Sequence, residues 1–199
     1  MMKKILTMLL VLALALWTAC ALAVPAYELD PVMARPAEKL SFRSGPGTDY
    51  TELFSISGKD VTDFFVYEQV KGSSTMWGMV EFNSRYGRYR AYTGMKRIHT
   101  DAYVPYGNVE GETYRLARDA YAYWGPGRDY VAHEGKVPAG TMVTIYHEEN
   151  GYVMADFVLP GGKKRLITRA WIAADALKGY TSNTQIGGGS DIVSEATPY

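Results

Sequence analysis

Cysteine is almost missing from these 199 residues, with Cys20 the only one. A single thiol closes no intrachain disulfide, so the folded state must draw its stability from packed cores. Histidine is scarce as well: His99, His133 and His147 are the full set. None stands in a His-Glu-x-x-His or comparable spacing, and His147-Glu-Glu reads as the flank of a turn, so no metal ligand, cofactor site or catalytic residue is nominated. Charge of one sign is lacking too, since 21 basic and 21 acidic side chains cancel. No dense basic patch is left to hold nucleic acid. Gly-Pro-Gly occurs, but without the further glycine, the Lys-Ser/Thr pair and the following helix that a phosphate loop needs.

What is present begins with an N-terminal targeting pattern. Lys3-Lys4 precedes an apolar run from Ile5 to Trp17 broken only by Thr7, and Ala21-Leu22-Ala23 follows. That order predicts a secretory signal peptide over 1–23. Two rivals stand beside it: an uncleaved membrane anchor, because the apolar character continues to Val24, and a lipoprotein signal at Cys20, disfavoured by the bulky Trp17 three residues earlier. Either way the expected location is secreted or envelope-associated, with membrane contact only through an uncleaved anchor. Cleavage after Ala23 would also remove Cys20, and with it the Cys-His machinery of a papain-like peptidase.

The mature part carries a repeat. Arg43-Ser-Gly-Pro-Gly-Thr-Asp-Tyr50 returns as Tyr123-Trp-Gly-Pro-Gly-Arg-Asp-Tyr130, an offset of 80 residues between Tyr50 and Tyr130. Around each copy lie short strand-like runs separated by Gly, Asn, Asp and Pro turns, with no helical period of any length. The pattern predicts an all-β chain of two small barrels in tandem: a leader over 24–35, a first domain over 36–98, a linker over 99–113, a second domain over 114–178, and a Gly/Ser/Thr-containing tail over 179–199. A single 3₁₀ turn is expected within Ile172–Leu177.

A second pair of segments supports the repeat. Trp77-Gly-Met-Val-Glu-Phe82 aligns with Tyr152-Val-Met-Ala-Asp-Phe157 at an offset of 75. Period-2 alternation places Val80 and Phe82, with Val153, Ala155 and Phe157, on a core face, and Trp77, Met79 and Glu81, with Tyr152, Met154 and Asp156, on the opposite one. Glu81 and Asp156 invite a paired-carboxylate reading, but equivalent positions in different domains read more simply as solvated strand positions. Lys163-Lys164-Arg165 is a turn charge cluster that would touch anionic polymer or serve solubility.

These residues resemble bacterial SH3-like (SH3b) domains. Leu40-Ser-Phe-Arg-Ser-Gly-Pro-Gly47 is similar to that family's opening motif and Trp77-Gly-Met-Val80 to its central strand, and Asn150-Gly-Tyr-Val-Met-Ala155 and Arg169-Ala-Trp-Ile172 match the central and closing elements in the second copy. Tyr123-Trp124 in place of Arg-Ser, Ala120 and Ala122 in place of larger apolar residues, and Thr93-Gly-Met-Lys96 without a closing tryptophan depart from the pattern. The resemblance implies two SH3-like barrels in a non-enzymatic protein that binds peptidoglycan peptide or an envelope protein through aromatic grooves. The ligand-binding candidates it implies are Tyr50, Trp77, Tyr130, Tyr152 and Trp171, and Trp124 joins them because it stands beside the turn. The bland reading of each is packing at a barrel rim. The alternative function is structural: barrels that pack on each other or on a partner, with their grooves closed.

Overall fold

The computed structural model describes residues 29–107, 109–159 and 166–182. The signal peptide, the start of the leader, the Lys163–Arg165 cluster and the tail from residue 183 lie outside these described residues. Within them the chain is all-β, and most of the longer strands fall on segments whose apolar alternation and flanking turn residues call for strands.

The first half contributes β1 (Val32–Met33), β2 (Arg35–Pro36), β3 (Lys39–Arg43), β4 (Glu52–Ser57), β5 (Val61–Lys71), β6 (Met76–Ser84), β7 (Gly87–Gly94) and β8 (Ile98–His99). The second half contributes β9 (Glu112–Arg115), β10 (Ala120–Tyr123), β11 (Ala132–Val137), β12 (Met142–Glu149), β13 (Tyr152–Phe157) and β14 (Thr168–Ala173). Short 3₁₀ turns follow β7 at Met95–Arg97 and β14 at Ala174–Ala176. The strands form two six-stranded sheets, ordered β1-β5-β6-β7-β3-β4 and β9-β12-β13-β14-β10-β11, and a two-stranded β2-β8 ribbon. Neither sheet's hydrogen-bonded order closes on itself.

Strand for strand, the two orders are the same. Glu81 pairs with Arg90 across β6–β7, and Asp156 pairs with Arg169 across β13–β14. Each half is therefore a copy of the other, with β3–β4 and β10–β11 displaced by 80 residues, β6 and β13 by 75, and β7 and β14 by 79, as the pairs Tyr50/Tyr130, Glu81/Asp156 and Arg90/Arg169 show. Insertions and deletions are confined to the turns, where backbone can lengthen without disturbing a ladder.

Two segments expected to be connectors are built into the fold. The end of the leader supplies β1, which pairs Val32 with Val66 and Met33 with Phe65, and β2, which pairs with β8. Extended, proline-flanked backbone is suited to such edge pairing. The segment between the halves lies on β5: the Gln69 amide donates to the Pro105 carbonyl at 2.8 Å, the Gly107 amide donates to the Gln69 carbonyl at 3.0 Å, and Val104 is buried.

Val80, Phe82, Val153, Ala155 and Phe157 are all buried in one apolar cluster, as the alternation of β6 and β13 requires. In the first half Phe42 stacks on Phe82 at 4.2 Å between ring centroids, and Phe82 on Tyr89 at 5.7 Å. The opposite face of β6 and β13 is also buried. Tyr67, Val70, Trp77, Met79 and Tyr92 of the first half form a second cluster with Met154 and Trp171 of the second. The two halves thus meet on the faces that a solvated-surface reading would leave open.

Candidate functional site

The centre of that meeting is a pair of matching boxes. The first is built around Glu81 on β6. Cross-strand Arg90 donates to its Oε2 from Nε at 2.9 Å and from Nη2 at 2.8 Å. Arg88, two residues earlier on β7, donates to Oε1 from Nε at 3.1 Å and from Nη2 at 2.5 Å. Tyr67 on β5 donates its hydroxyl at 3.2 Å. The last donor crosses from the second half: the Tyr130 hydroxyl reaches Oε2 at 2.6 Å. The Arg90 guanidinium lies 4.1 Å over the Tyr67 ring and 5.5 Å from that of Trp171, so cation–π attraction adds to the ion pair.

The second box repeats the first with the halves exchanged. Arg169 on β14 grips Asp156 on β13, Nε to Oδ1 at 2.7 Å and Nη2 to Oδ2 at 2.9 Å. Tyr146 lies under the Arg169 guanidinium at 4.1 Å, as Tyr67 lies under Arg90. The donor from the other half is now Tyr50, whose hydroxyl reaches Asp156 Oδ2 at 2.7 Å. Arg169 also donates to the Tyr92 hydroxyl at 3.2 Å.

Backbone bonds lock the same junction twice. Thr51 donates to Ile167 at 2.9 Å and Ile167 to Asp49 at 3.0 Å, and in the mirrored place Val131 donates to Arg88 at 3.1 Å and Arg90 to Trp124 at 2.5 Å. Each Gly-Pro-Gly turn is what brings its tyrosine there. A Cβ at Gly45 would overlap the Tyr50 ring, and one at Gly125 the Tyr130 ring, so only glycine lets the ring fold over its own turn and still reach across.

The two boxes differ in charge. Where the second half has Ile167, the first has Arg88, which also pairs with Asp129 at 2.6 Å; and Glu149, at the position of Val70, accepts from Arg90 Nη1 at 2.5 Å as a second carboxylate. Burial by itself would raise the Glu81 and Glu149 carboxyls. The Arg90 charge with bonds from Tyr130 and Arg88 outweighs it at Glu81, and the neighbouring His147 with the bonds from Arg90 outweighs it at Glu149, taking the latter to about 2. Burial raises the Tyr50 and Tyr130 phenols well above their ordinary range.

The candidate residues named from sequence fall as follows. Tyr50 and Tyr130 are buried, with their hydroxyls committed to the opposite half. Trp77 and Trp171 are buried in the cluster between the halves, where Trp171 meets His147 edge-on at 5.7 Å. Trp124 is buried beside His133, at 5.4 Å. Tyr152 alone is half-exposed, with Tyr123 perpendicular to it at 6.0 Å. The structure buries five of the six at the junction or in the core and packs the sixth, Tyr152, against the junction cluster, so they do not line one open groove.

Two sequence expectations are corrected. Glu81 and Asp156 are not solvated: both carboxylates are buried or nearly so and saturated by arginine and tyrosine donors. His147 does not flank a turn but lies buried within β12, its Nε2 3.7 Å from Glu149. Arg88, Arg90, Arg169, Tyr67, Tyr92 and Tyr146 are not among the site candidates named from the sequence. The available signal was an arginine at the same strand position opposite each acid, together with Met79 and Met154 on a face assigned to solvent.

Clefts open at both ends of the junction, of about 410 Å³ beside Glu81, Arg88 and Asp129, and about 560 Å³ beside Tyr146, Asp156 and Ile167. Among the described residues no group of three or more His, Cys, Asp or Glu side chains is placed to hold a metal ion, and no helix is long and apolar enough to cross a membrane.

No protein-family model and no curated protein matches the chain. Among solved structures, that of NlpC2 from Trichomonas vaginalis is similar over 76% of this chain and 49% of its own, at 14% sequence identity and a TM-score of 0.30. The chain spans about half the length of that protein, and a likeness at this level leaves its fold and function to its own residues.

Proposed function

We propose that this is a non-enzymatic structural or interaction protein of the cell envelope, in which two SH3-like barrel units are clasped face to face into one rigid body. What carries the reading is the reciprocal pair of bonds in which Tyr130 reaches Glu81 at 2.6 Å and Tyr50 reaches Asp156 at 2.7 Å. A groove residue kept for a ligand leaves its polar tip free; these tips hold the partner half instead. The signal-like N-terminus supports an extracytoplasmic location, and the shared strand order supports two units of one kind. Partners are then met by the outer surfaces.

A second reading keeps one specific support. Tyr152 and Tyr123 form a half-exposed perpendicular aromatic pair, a surface on which an envelope peptide could lay an apolar side chain. Co-sedimentation of the chain with purified peptidoglycan separates the two. The clasped-scaffold reading expects no retention, or retention that Tyr152→Ala with Tyr123→Ala leaves unchanged. Retention abolished by that pair, with the thermal transition intact, would replace it with the aromatic-surface reading.

A further inference from the structure

The internal repeat supplies a control within one molecule: positions where the two halves differ are positions the shared fold does not fix. The outermost strands of the two sheets, β4 and β11, occupy equivalent places and differ sharply. In β11, Lys136 opposite Tyr121 stands where β4 has Ser55 opposite Ser41, and His133, Glu134 and Gly135 precede it where β4 has Leu53 and Phe54. Gly135 has φ +77°, and Lys136 extends over Tyr121 at 4.8 Å. Lysine, a charged neighbour and a left-handed glycine are the devices by which an edge strand is kept from pairing. The other edges need little protection, β1 being two residues long and β9 bearing Glu112 and Arg115.

β4 has no lysine and no left-handed glycine, and its bulge lies at its start, between the Phe42–Phe54 and Arg43–Glu52 pairs. Its inner side pairs with β3 through Lys39–Ser57, Leu40–Ile56, Ser41–Ser55 and Phe42–Phe54. Among the described residues its outer side makes no backbone hydrogen bond along Phe54–Ser57. Its one acid, Glu52, is already paired with Arg43 at 3.0 Å. Phe54 is half-buried against Tyr89 at 4.9 Å and Tyr86 at 5.4 Å, which leaves an aromatic rim along the free edge.

We propose that β4 is a homotypic docking edge that takes the β4 strand of a second copy of this chain, antiparallel, about a twofold axis at Ser55. The side chains are self-complementary in that register. Ser55 is exposed, and its hydroxyl bonds that of Ser41 at 2.7 Å; a hydroxyl both donates and accepts, so the row extends as Ser41, Ser55, then Ser55 and Ser41 of the second copy. On the other face Phe54 of each copy meets Ile56 of the other, an aromatic against a β-branched residue, which is a favourable cross-strand pair. Glu52 of each copy comes opposite Gly58 of the other, next to Lys59, so opposite charges neighbour one another at both ends of the ladder. No like charges are set face to face. The strand is short, so the pairing is a weak one that concentration controls.

The test is sedimentation velocity on the purified full-length chain across a concentration series, with Ser55→Lys and Ser55→Glu variants. Ser55 is exposed and on the outer face, so both variants are expected to keep the wild-type melting transition. Wild type forms a dimer; each variant alone weakens it at least about 10-fold, because like charges then lie directly opposite; an equimolar mixture restores it as a heterodimer. Should either variant fold poorly, Ser55→Cys in a Cys20→Ser background decides: residues directly opposite in a ladder are about 4.5–5.5 Å apart at Cα, within disulfide reach. Oxidation then gives a covalent dimer at position 55 and much less of one with Ser57→Cys. A wild type that stays monomeric, a dimer indifferent to Ser55→Lys, a mixture that fails to recover it, or equal cross-linking at 55 and 57 overturns the proposal.

Discussion

The Tyr130 hydroxyl donates to the Glu81 carboxylate of the other half at 2.6 Å, and Tyr50 returns the same bond to Asp156 at 2.7 Å. Each is a bond from a buried phenol to a carboxylate held by an arginine, a charge-assisted bond worth about 1.5–3 kcal/mol. Tyr130→Phe and Tyr50→Phe are each expected to lower stability by that order, measured by urea or thermal denaturation, with the unfolding cooperative in both. Because the two boxes are separate, the double variant should cost about the sum. A neutral outcome for either would mean that its hydroxyl does not hold the halves.

The buried ion pairs give a different asymmetry. Asp156→Ala leaves the Arg169 guanidinium with the Tyr50 and Tyr92 hydroxyls, whereas Glu81→Ala leaves Arg90 still bidentate with Glu149 at 2.5 and 3.2 Å. Breaking a buried pair costs about 3–5 kcal/mol because a charge stays behind uncompensated. Asp156→Ala should therefore be the more damaging substitution. Adding Glu149→Ala to Glu81→Ala should bring the two alike. Equal losses for the single variants would remove Glu149 from the account.

That asymmetry also marks how much of the molecule could be read from its sequence. Strands and turns were legible because alternation and glycine-bearing turns act locally, and the repeat was legible because Gly-Pro-Gly and the Trp/Tyr-x-Met-x-acid-Phe run survive in both copies. The junction was not. An acid in a strand looks the same whether it faces water or a partner, and the partner of Glu81 lies 49 residues away at Tyr130. Nothing in the local pattern of β6 records that distance. The methionines Met79 and Met154, both buried, were the local trace that this face meets another surface and not solvent.

Acid and alkali should each loosen the fold, by different groups. The Glu81 and Glu149 carboxyls are depressed in the folded state, Glu149 to about 2. Their contribution is present above the unfolded carboxyl value near about 4.3 and is lost as pH falls toward about 2. The Tyr50, Tyr67, Tyr92 and Tyr130 phenols are raised by burial, so they hold their protons after unfolded tyrosine has begun to lose them near about 10, and stability falls as pH rises beyond that point. Phenolate absorbance followed against pH should therefore show a fraction of the tyrosines ionising only together with the loss of near-ultraviolet circular dichroism. Ionisation of all tyrosines near the ordinary value, with the fold retained, contradicts the burial of these four.

Separating the halves should unfold or aggregate both. A fragment of 29–107 would expose Trp77, Met79 and Tyr92, and a fragment of 109–182 would expose Met154 and Trp171 together with the buried Arg169 charge. Mixing the two fragments is expected to restore a cooperative transition and a blue-shifted tryptophan emission. Fragments that melt cooperatively alone and ignore each other would make the halves independent.

The glycines of the turns supply the most local test, because two of them differ only in what their missing Cβ would strike. At Gly45 the obstacle is the Tyr50 ring, which is pinned at its far end by Asp156 and Arg169; at Gly47 it is the exposed Asp49 carboxylate, free to swing into water. Gly45→Ala must push the ring off its turn and draw the hydroxyl away from Asp156, a loss of about 2–3 kcal/mol from overpacking and the weakened bond together. Gly47→Ala needs only a rotamer change and should cost well under 1 kcal/mol. In a Tyr50→Phe background the penalty at Gly45 should shrink, since a ring no longer pinned by its hydroxyl can move aside, and a double-mutant cycle in chemical denaturation reads that coupling directly. A penalty that is the same with Tyr and Phe at position 50 would show the turn to be independent of the clasp.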